Sequence, residues 1–307
     1  MPHELTGPDL PSGMRLFLCA ALLGILCPAL APAQNPTTPR LFTSDTVQIR
    51  YLEEGSGEPV LLIHGLGGRL EDWTAAGFVA GLAAAGFRVI AYDARGHGES
   101  SKPHDSDRYG NEDVADVLRL LDHLSIERAH VIGYSRGSHI ASELVAQHPD
   151  RVSSVVYGGW GAGNPVESLS HEDCLATVDA LARGEFPVPL WRAFQSSDAP
   201  LPTKEEQAMI MEQFFGEAND MMALAAAFGA GCADDLESAA SLNPSGVPSL
   251  AIVGALDGHS PSVRAMARET GGALKVHIIP GADHYTVPRH PQFLAQILSF
   301  LNETRCE

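Results

Sequence analysis

Residues 129–145, AHVIGYSRGSHIASELV, decide the fold. The segment opens with a short apolar run typical of a buried strand, and apolar residues recur at helical spacing after Gly137. Gly133 and Gly137 flank Ser135, because side chains at those positions would crowd the strand and the helix packed against the turn. The pattern predicts a strand, a tight turn and a helix, with the serine hydroxyl at the helix N-terminus.

Ser135 in such a turn is a candidate nucleophile. Its hydroxyl can attack a carbonyl carbon, and the backbone N–H of Arg136 can point at the oxyanion that forms. The pattern GxSxG is short and recurs by chance, so a purely structural Gly-Ser turn is the alternative. The catalytic interpretation therefore requires that the rest of the chain supply partners for Ser135.

The composition is that of a globular protein. The chain has 307 residues, 45% hydrophobic and 19% charged, enough for one large core or two domains. Its 20 basic and 38 acidic residues give a formal charge of −18, which repels phosphate backbones and anionic membrane surfaces. We therefore expect no nucleic-acid partner.

Residues 1–33 have the features of an export signal. Arg15 precedes an apolar run over residues 16–30, and an Ala-x-Ala cleavage pattern ends at Ala33. The apolar run is shorter than the roughly 20 residues of a spanning helix. We expect a secreted or periplasmic protein without a permanent membrane span, the alternative being an anchor formed by the uncleaved segment. Translation from Met1 and from Met14 both fit this pattern.

Three cysteines remain once such a signal is removed: Cys174, Cys232 and Cys306. In an oxidising compartment Cys174 and Cys232 could form a disulfide. Three well-separated thiols also fit incidental residues, and the sequence leaves both readings open.

The remaining chain falls into four segments that differ in their hydrophobic patterns. Residues 34–45 read as a Pro-rich leader, and in residues 46–159 buried strands alternate with helices, which predicts a parallel α/β sheet covered on both faces. Residues 160–245 hold helical stretches with many large apolar side chains and no β-rich run. They can pack on the sheet edge, cover the serine as a helical cap, or do both. The α/β pattern returns in residues 246–307.

A nucleophilic serine needs a general base and a third group that orients the base. Functional groups in open parallel sheets gather beyond the carboxyl ends of the strands. Three predicted strands are followed there, in chain order, by Ser135, Asp257 and His284. These residues are the candidate catalytic triad.

Two histidines and two aspartates compete for these roles. His64 and His97 also lie near strand ends, but we interpret both as loop residues that shape turns. Asp93 precedes the nucleophile in the chain, and we expect it to brace its loop with Arg95. Asp283 is adjacent to His284, which points the two side chains apart.

Four motifs together resemble the α/β-hydrolase superfamily, in the branch of esterases, haloperoxidase-like enzymes and carbon–carbon bond hydrolases. They are HGLGG at residues 64–68, DARGHGES at 93–100, GYSRG at 133–137 and GADH at 281–284. The resemblance implies a mostly parallel, eight-stranded sheet with helices on both faces and an inserted cap over residues 160–245.

The same resemblance implies the site. Ser135 is then the nucleophile, His284 the general base and Asp257 the orienting acid, with the backbone N–H groups of Leu66 and Arg136 as the oxyanion hole. Relatives often carry an apolar residue where Arg136 stands, and we expect this arginine to form an ion pair at the surface or with the cap rather than to select anionic substrates. A serine nucleophile argues against the dehalogenase and epoxide hydrolase branches, which use an aspartate.

The sequence therefore predicts an exported serine hydrolase that cleaves a carboxylic ester or related acyl bond and needs neither metal nor cofactor. Its expected partner is a small molecule with an apolar acyl or aromatic group. Carbon–carbon bond hydrolysis, lactone hydrolysis and perhydrolysis on the same triad are alternatives, and a small-molecule receptor is a non-enzymatic one. Gly65, Gly67 and Gly68 do not match GxGxxG, which argues against a nucleotide site.

Overall fold

A computed structural model of the chain describes residues 38–160, 169–195, 200–216, 219–233 and 246–305. The predicted signal peptide, residues 1–33, lies outside the described residues, so it stays a prediction. Within the described ranges, no helix combines the length and hydropathy needed to cross a bilayer.

Eight strands form one sheet: β1 (Arg40–Ser44), β2 (Val47–Gly55), β3 (Glu58–Ile63), β4 (Phe87–Tyr92), β5 (Ala129–Tyr134), β6 (Val152–Gly158), β7 (Ser249–Gly254) and β8 (Leu274–Ile279). Their order is β1-β2-β4-β3-β5-β6-β7-β8. β2 runs antiparallel to both neighbours, whereas the other pairings are parallel. β5 and β7 are buried at every position, as expected for parallel strands covered on both faces.

Helices cover both faces of this sheet. They are α1 (Leu70–Ala75), α2 (Phe78–Ala84), α3 (Asn111–His123), α4 (Arg136–Gln147), α9 (Ser260–Glu269) and α10 (Pro291–Thr304). α3, α4 and α9 bury apolar side chains in the core on one face, and α1, α2 and α10 do so on the other. The predicted α/β-hydrolase fold with an eight-stranded, mostly parallel sheet is confirmed.

One local prediction differs from the structure, because β1 falls inside residues 34–45, which we assigned to a leader. Between β3 and β4 the chain forms two short helices, α1 and α2, which are separated where Gly77 adopts a left-handed φ of 79°. α3 begins after Gly110, so Asn111 is its first helical residue.

The described part of the segment 160–245 is helical and contains no strand. Its helices, which we call the cap, are α5 (His171–Ala182), α6 (Val188–Ala193), α7 (Lys204–Phe215) and α8 (Met221–Ala233). A disulfide between Cys174 of α5 and Cys232 of α8, with 6.0 Å between the Cα atoms, joins two of them. The sequence left open whether these cysteines are paired or free, and in the structure they are paired.

The sheet brings the candidate residues to one edge. Parallel strands end on the same side, so the segments that follow β3, β5, β7 and β8 meet beyond their carboxyl ends. These segments carry His64, Ser135, Asp257 and His284.

Candidate active site

The turn between β5 and α4 holds Ser135 in a strained conformation. Its φ of 52° and ψ of −118° are rare for a residue with a side chain, and its N–H donates to the carbonyl of Gly158 over 2.8 Å. A Cβ on Gly133 would collide with the backbone of Gly137, and one on Gly137 with the backbone of Ile63. The two glycines are therefore required for the steric reason that the sequence indicated.

Ser135, His284 and Asp257 form a continuous hydrogen-bonded chain. Oγ of Ser135 lies 3.0 Å from Nε2 of His284, and Nδ1 of His284 lies 2.8 Å from Oδ2 of Asp257. All three residues are buried. A proton on Nδ1 is held by the Asp257 carboxylate, which leaves Nε2 free to accept the serine proton. The structure thus brings the three predicted residues together in the order that nucleophilic catalysis requires.

Asp257 is ionised in this site. Burial alone raises the pKa of its carboxyl group, but the neighbouring imidazoles of His284 and His259 outweigh burial and hold that pKa below its usual range. A permanent negative charge at this position favours the protonated form of His284 that arises during catalysis.

The predicted oxyanion donors lie beside the nucleophile. Residues 64–68, the glycine-rich loop, pack against Ser135: a Cβ on Gly65 would lie 3.2 Å from the Ser135 Cβ atom. The loop is closed by a hydrogen bond from the Gly68 N–H to the Gly65 carbonyl over 3.0 Å. Leu66 and Arg136 line the same cavity as Ser135.

The rival histidines brace loops. Nε2 of His64 accepts a hydrogen bond from the Ala94 N–H over 3.0 Å, so its proton lies on Nδ1, 2.8 Å from the Gly65 carbonyl. Nδ1 of His97 lies 2.9 Å from the Arg95 carbonyl. Burial lowers the pKa of both imidazoles, which favours the neutral form. Both are structural, as interpreted from the sequence.

The rival aspartates also have other partners. Asp93 accepts hydrogen bonds from the backbone N–H groups of Leu70 and Glu99 and pairs with Arg50 over 3.2 Å. The expected pairing with Arg95 is wrong, because that side chain is bound by Asp116 and Glu112 of α3. Asp283 caps the turn that follows it, accepting from the N–H groups of Tyr285 and Thr286.

Arg136 forms an ion pair inside the cavity wall. Its Nη2 lies 2.6 Å from Oδ2 of Asp113, whose side chain is only 3% exposed. The predicted ion pair forms, but its predicted location at the surface or in the cap is wrong, because the partner Asp113 is a buried residue of α3. Asp113 therefore neutralises the charge of the Arg136 guanidinium.

A cavity of about 830 Å³ opens over Ser135 between the core and the cap. Its size suits a drug-sized organic molecule. Core and cap both contribute large apolar walls, among them Trp73, Phe78, Phe186, Leu190, Trp191 and Phe194.

The carboxylate of Asp257 also contacts a second histidine, which the sequence analysis missed. His259, Asp257 and His284 place donor atoms within 4.8 Å of one another, the spacing of a metal site. Both imidazole Nδ1 atoms instead lie within hydrogen-bond distance of Asp257 oxygens, which accounts for the cluster by hydrogen bonding. A lone histidine two residues after an aspartate carries no recognisable pattern, so only the folded structure reveals this contact.

The sheet, the strained turn that holds Ser135 and the cavity above it define an enzyme of the α/β-hydrolase class. A family model for the alpha/beta hydrolase fold matches residues 58–173. The protein named "Putative carbamate hydrolase RutD" from Variovorax paradoxus is 31% identical over 254 residues, 80% of this chain and 92% of its own length. The chain belongs to the α/β-hydrolase family.

Two further similarities extend this comparison. The dihydrolipoyllysine-residue acetyltransferase component of the acetoin cleaving system from Cupriavidus necator is 31% identical over 236 residues. That match covers 76% of this chain but 61% of the longer relative. A solved structure from a study of Nitrososphaera gargenis carboxylesterases superposes with a TM-score of 0.69 at 25% identity, covering 86% of this chain and 98% of its own.

Proposed function

We propose that this protein is an exported serine hydrolase that cleaves a carboxylic ester or a related acyl bond. The observation that carries the proposal is the hydrogen-bonded chain of 3.0 Å and 2.8 Å from Ser135 through His284 to Asp257. Similarity to a protein named as a carbamate hydrolase and to a carboxylesterase structure supports an acyl bond as the target.

Acylation begins when Oγ of Ser135 attacks the substrate carbonyl carbon and its proton passes to Nε2 of His284. The backbone N–H groups of Leu66 and Arg136 stabilise the negative charge on the carbonyl oxygen. The tetrahedral intermediate then collapses, the bond to the alcohol breaks, and the alcohol takes the proton from His284. An acyl group remains on Ser135.

Deacylation repeats these steps with water. His284 takes a proton from the water as it attacks the acyl carbonyl, and returns a proton to Oγ of Ser135 as the carboxylic acid leaves. Each role is filled by a side chain or a backbone N–H, so the mechanism calls for no metal and no cofactor.

The cavity favours a substrate with an apolar acyl or aromatic group. Aromatic and aliphatic side chains form much of its wall. Arg136, which follows Ser135 in the chain, is paired with Asp113, so an anionic substrate gains little from it.

Turnover of p-nitrophenyl esters from acetate to decanoate tests the proposal. Wild-type protein should hydrolyse them, and Ser135→Ala should lose activity by a factor of about 10⁴ or more while keeping its unfolding midpoint. A fluorophosphonate should label wild type and not the variant. Activity retained in Ser135→Ala would refute the assignment.

Other outcomes separate the alternatives. Labelling of Ser135 without ester turnover would point to carbon–carbon bond or lactone hydrolysis or to perhydrolysis. Failure of the label together with tight binding of apolar small molecules would favour a receptor.

Export is the second part of the proposal. It rests on the predicted signal in residues 1–33 and on the Cys174–Cys232 disulfide, a bond typical of oxidising compartments. Mass spectrometry of the mature protein from cell fractions should find an N-terminus near Gln34 in the periplasm or medium. An intact N-terminus in the membrane fraction would instead support the anchored form.

A further inference from the structure

His259 lies against the oxygen of Asp257 that His284 does not use. The backbone N–H of His259 donates to Oδ1 of Asp257 over 3.0 Å, and its ring Nδ1 lies 3.3 Å from the same oxygen. His284 contacts Oδ2. The buried carboxylate is therefore shared by two imidazoles, one on each oxygen.

The His259 ring is fixed in place by aromatic neighbours. It is 3% exposed, and its centroid lies 3.8 Å from that of Trp160 and 5.1 Å from that of Phe194. Phe194 also stacks on His284, with 4.1 Å between centroids and 14° between ring planes. The two histidines thus flank one phenylalanine from the end of α6.

The loop that carries His259 is tied to the same part of the cap. The N–H of Gly258 donates to the Phe194 carbonyl over 3.3 Å, and a Cβ on Gly258 would lie within 2.7 Å of the carbonyl oxygens of Ala193 and Gln195. The loop after β7 that carries Asp257 and His259, which we call the acid loop, is therefore in direct backbone contact with the cap.

We infer that His259 is a positioning residue for the catalytic triad, an inference that rests on the proposed function. A carboxylate rotates easily about its terminal bond, because torsions of this kind have broad energy wells. A donor from the His259 ring on Oδ1 restricts that rotation and keeps Oδ2 directed at Nδ1 of His284. The ring also stabilises the negative charge of Asp257, whose side chain is buried.

Two substitutions isolate the ring N–H. His259→Phe keeps an aromatic ring between Trp160 and Phe194 but removes the donor. His259→Asn places an amide N–H close to the position of Nδ1. Both keep the backbone N–H that donates to Oδ1, so the difference between them reports on the ring donor. His277→Phe, a histidine substitution in β8, controls for the general effect of the change.

The first readout is steady-state hydrolysis of p-nitrophenyl butyrate. We expect kcat of His259→Phe to fall by about tenfold with KM within about twofold, because the loss affects the reacting groups more than substrate binding. We expect His259→Asn to recover most of kcat, and His277→Phe to match wild type. Circular dichroism and the unfolding midpoint show whether each variant is folded.

The second readout does not depend on turnover. The proton between His284 Nδ1 and Asp257 should give a low-field resonance in the proton NMR spectrum of the full chain. His259→Phe should shift or broaden that resonance, and His259→Asn should restore it.

If His259→Phe is folded and leaves both kcat and the resonance unchanged, the inference is wrong. If wild type neither turns over esters nor reacts with a phosphonate, the proposed function fails, and the resonance still decides the role of His259.

Discussion

Asn219 connects the cap to the glycine-rich loop: its Nδ2 donates a hydrogen bond to the carbonyl oxygen of Gly67 over 2.7 Å. Asn219 lies between α7 and α8, and Gly67 follows the predicted oxyanion donor Leu66. Gly67 has a φ of 75°, a conformation that glycine adopts readily. A cap residue therefore helps to fix the loop that carries the predicted donor.

We predict that Asn219→Ala lowers kcat for p-nitrophenyl butyrate by about tenfold, because a loosened donor stabilises the transition state less well. Asn219→Asp should lower kcat further, since a carboxylate repels the Gly67 carbonyl. Steady-state kinetics measure both. A rise in KM with kcat unchanged would contradict this prediction and confine Asn219 to substrate binding.

The Cys174–Cys232 disulfide should contribute strongly to stability. It joins residues separated by 58 positions, and constraining a loop of that length in the unfolded chain stabilises the folded state by about 4 kcal/mol. Urea titration of Cys174→Ala/Cys232→Ala measures the loss, and dithiothreitol should lower the stability of wild type but leave that of the double variant unchanged. An identical response to dithiothreitol in both proteins would show that the bridge does not stabilise the cap.

The buried ion pair beside the nucleophile should be costly to break. Arg136→Met leaves the Asp113 carboxylate, 3% exposed, without its cation, and we expect the free energy of unfolding to fall by about 3 kcal/mol. Arg136→Met/Asp113→Leu should regain most of it, because the double variant leaves no unpaired charge. The control is Arg183→Met, whose exposed pair with Asp179 should contribute nothing measurable. Additive losses from Arg136→Met and Asp113→Leu would contradict the coupling.

Stability should fall as the pH drops below about 6.5. Burial lowers the pKa of His64, His97 and His130 relative to the unfolded value of about 6.5, so the unfolded chain binds more protons in this range. The stabilisation that results from keeping these imidazoles neutral is complete above pH 6.5 and is lost as the pH falls toward their pKa values in the folded protein. Each can contribute up to about 1.4 kcal/mol per pH unit.

Urea titrations between pH 7.5 and pH 5 measure this dependence. His97→Asn keeps a donor for the Arg95 carbonyl but does not titrate, so its stability should depend less steeply on pH than that of wild type. Equal slopes for the two proteins would show that His97 does not titrate in this window.

Local sequence patterns were sufficient to predict the central strands and the candidate triad residues, whereas the eight-stranded sheet was predicted from the family resemblance. Apolar runs mark the buried strands, and the glycine at position 133 has a steric cause, the backbone of Gly137, that lies within five residues. Parallel topology then brings strand ends together, which made Asp257 and His284 candidates without knowledge of their contacts.

The missed features depend on contacts between distant segments. β1 is a short, half-exposed edge strand, so it lacks the apolar run of a central strand. Asp93 pairs with Arg50 rather than with nearby Arg95, because strand pairing, not chain proximity, brings those side chains together. The contacts of His259 and Asn219 likewise arise only once the cap and the core have folded.

Gly258 has a consequence for how this enzyme can diversify. The acid loop touches the carbonyl oxygens at the end of α6 closely enough that no side chain fits between them. The cap and the loop that carries Asp257 therefore constrain each other's backbone. We expect a chimera that receives a foreign cap to keep the triad geometry only if it also receives the matching loop after β7.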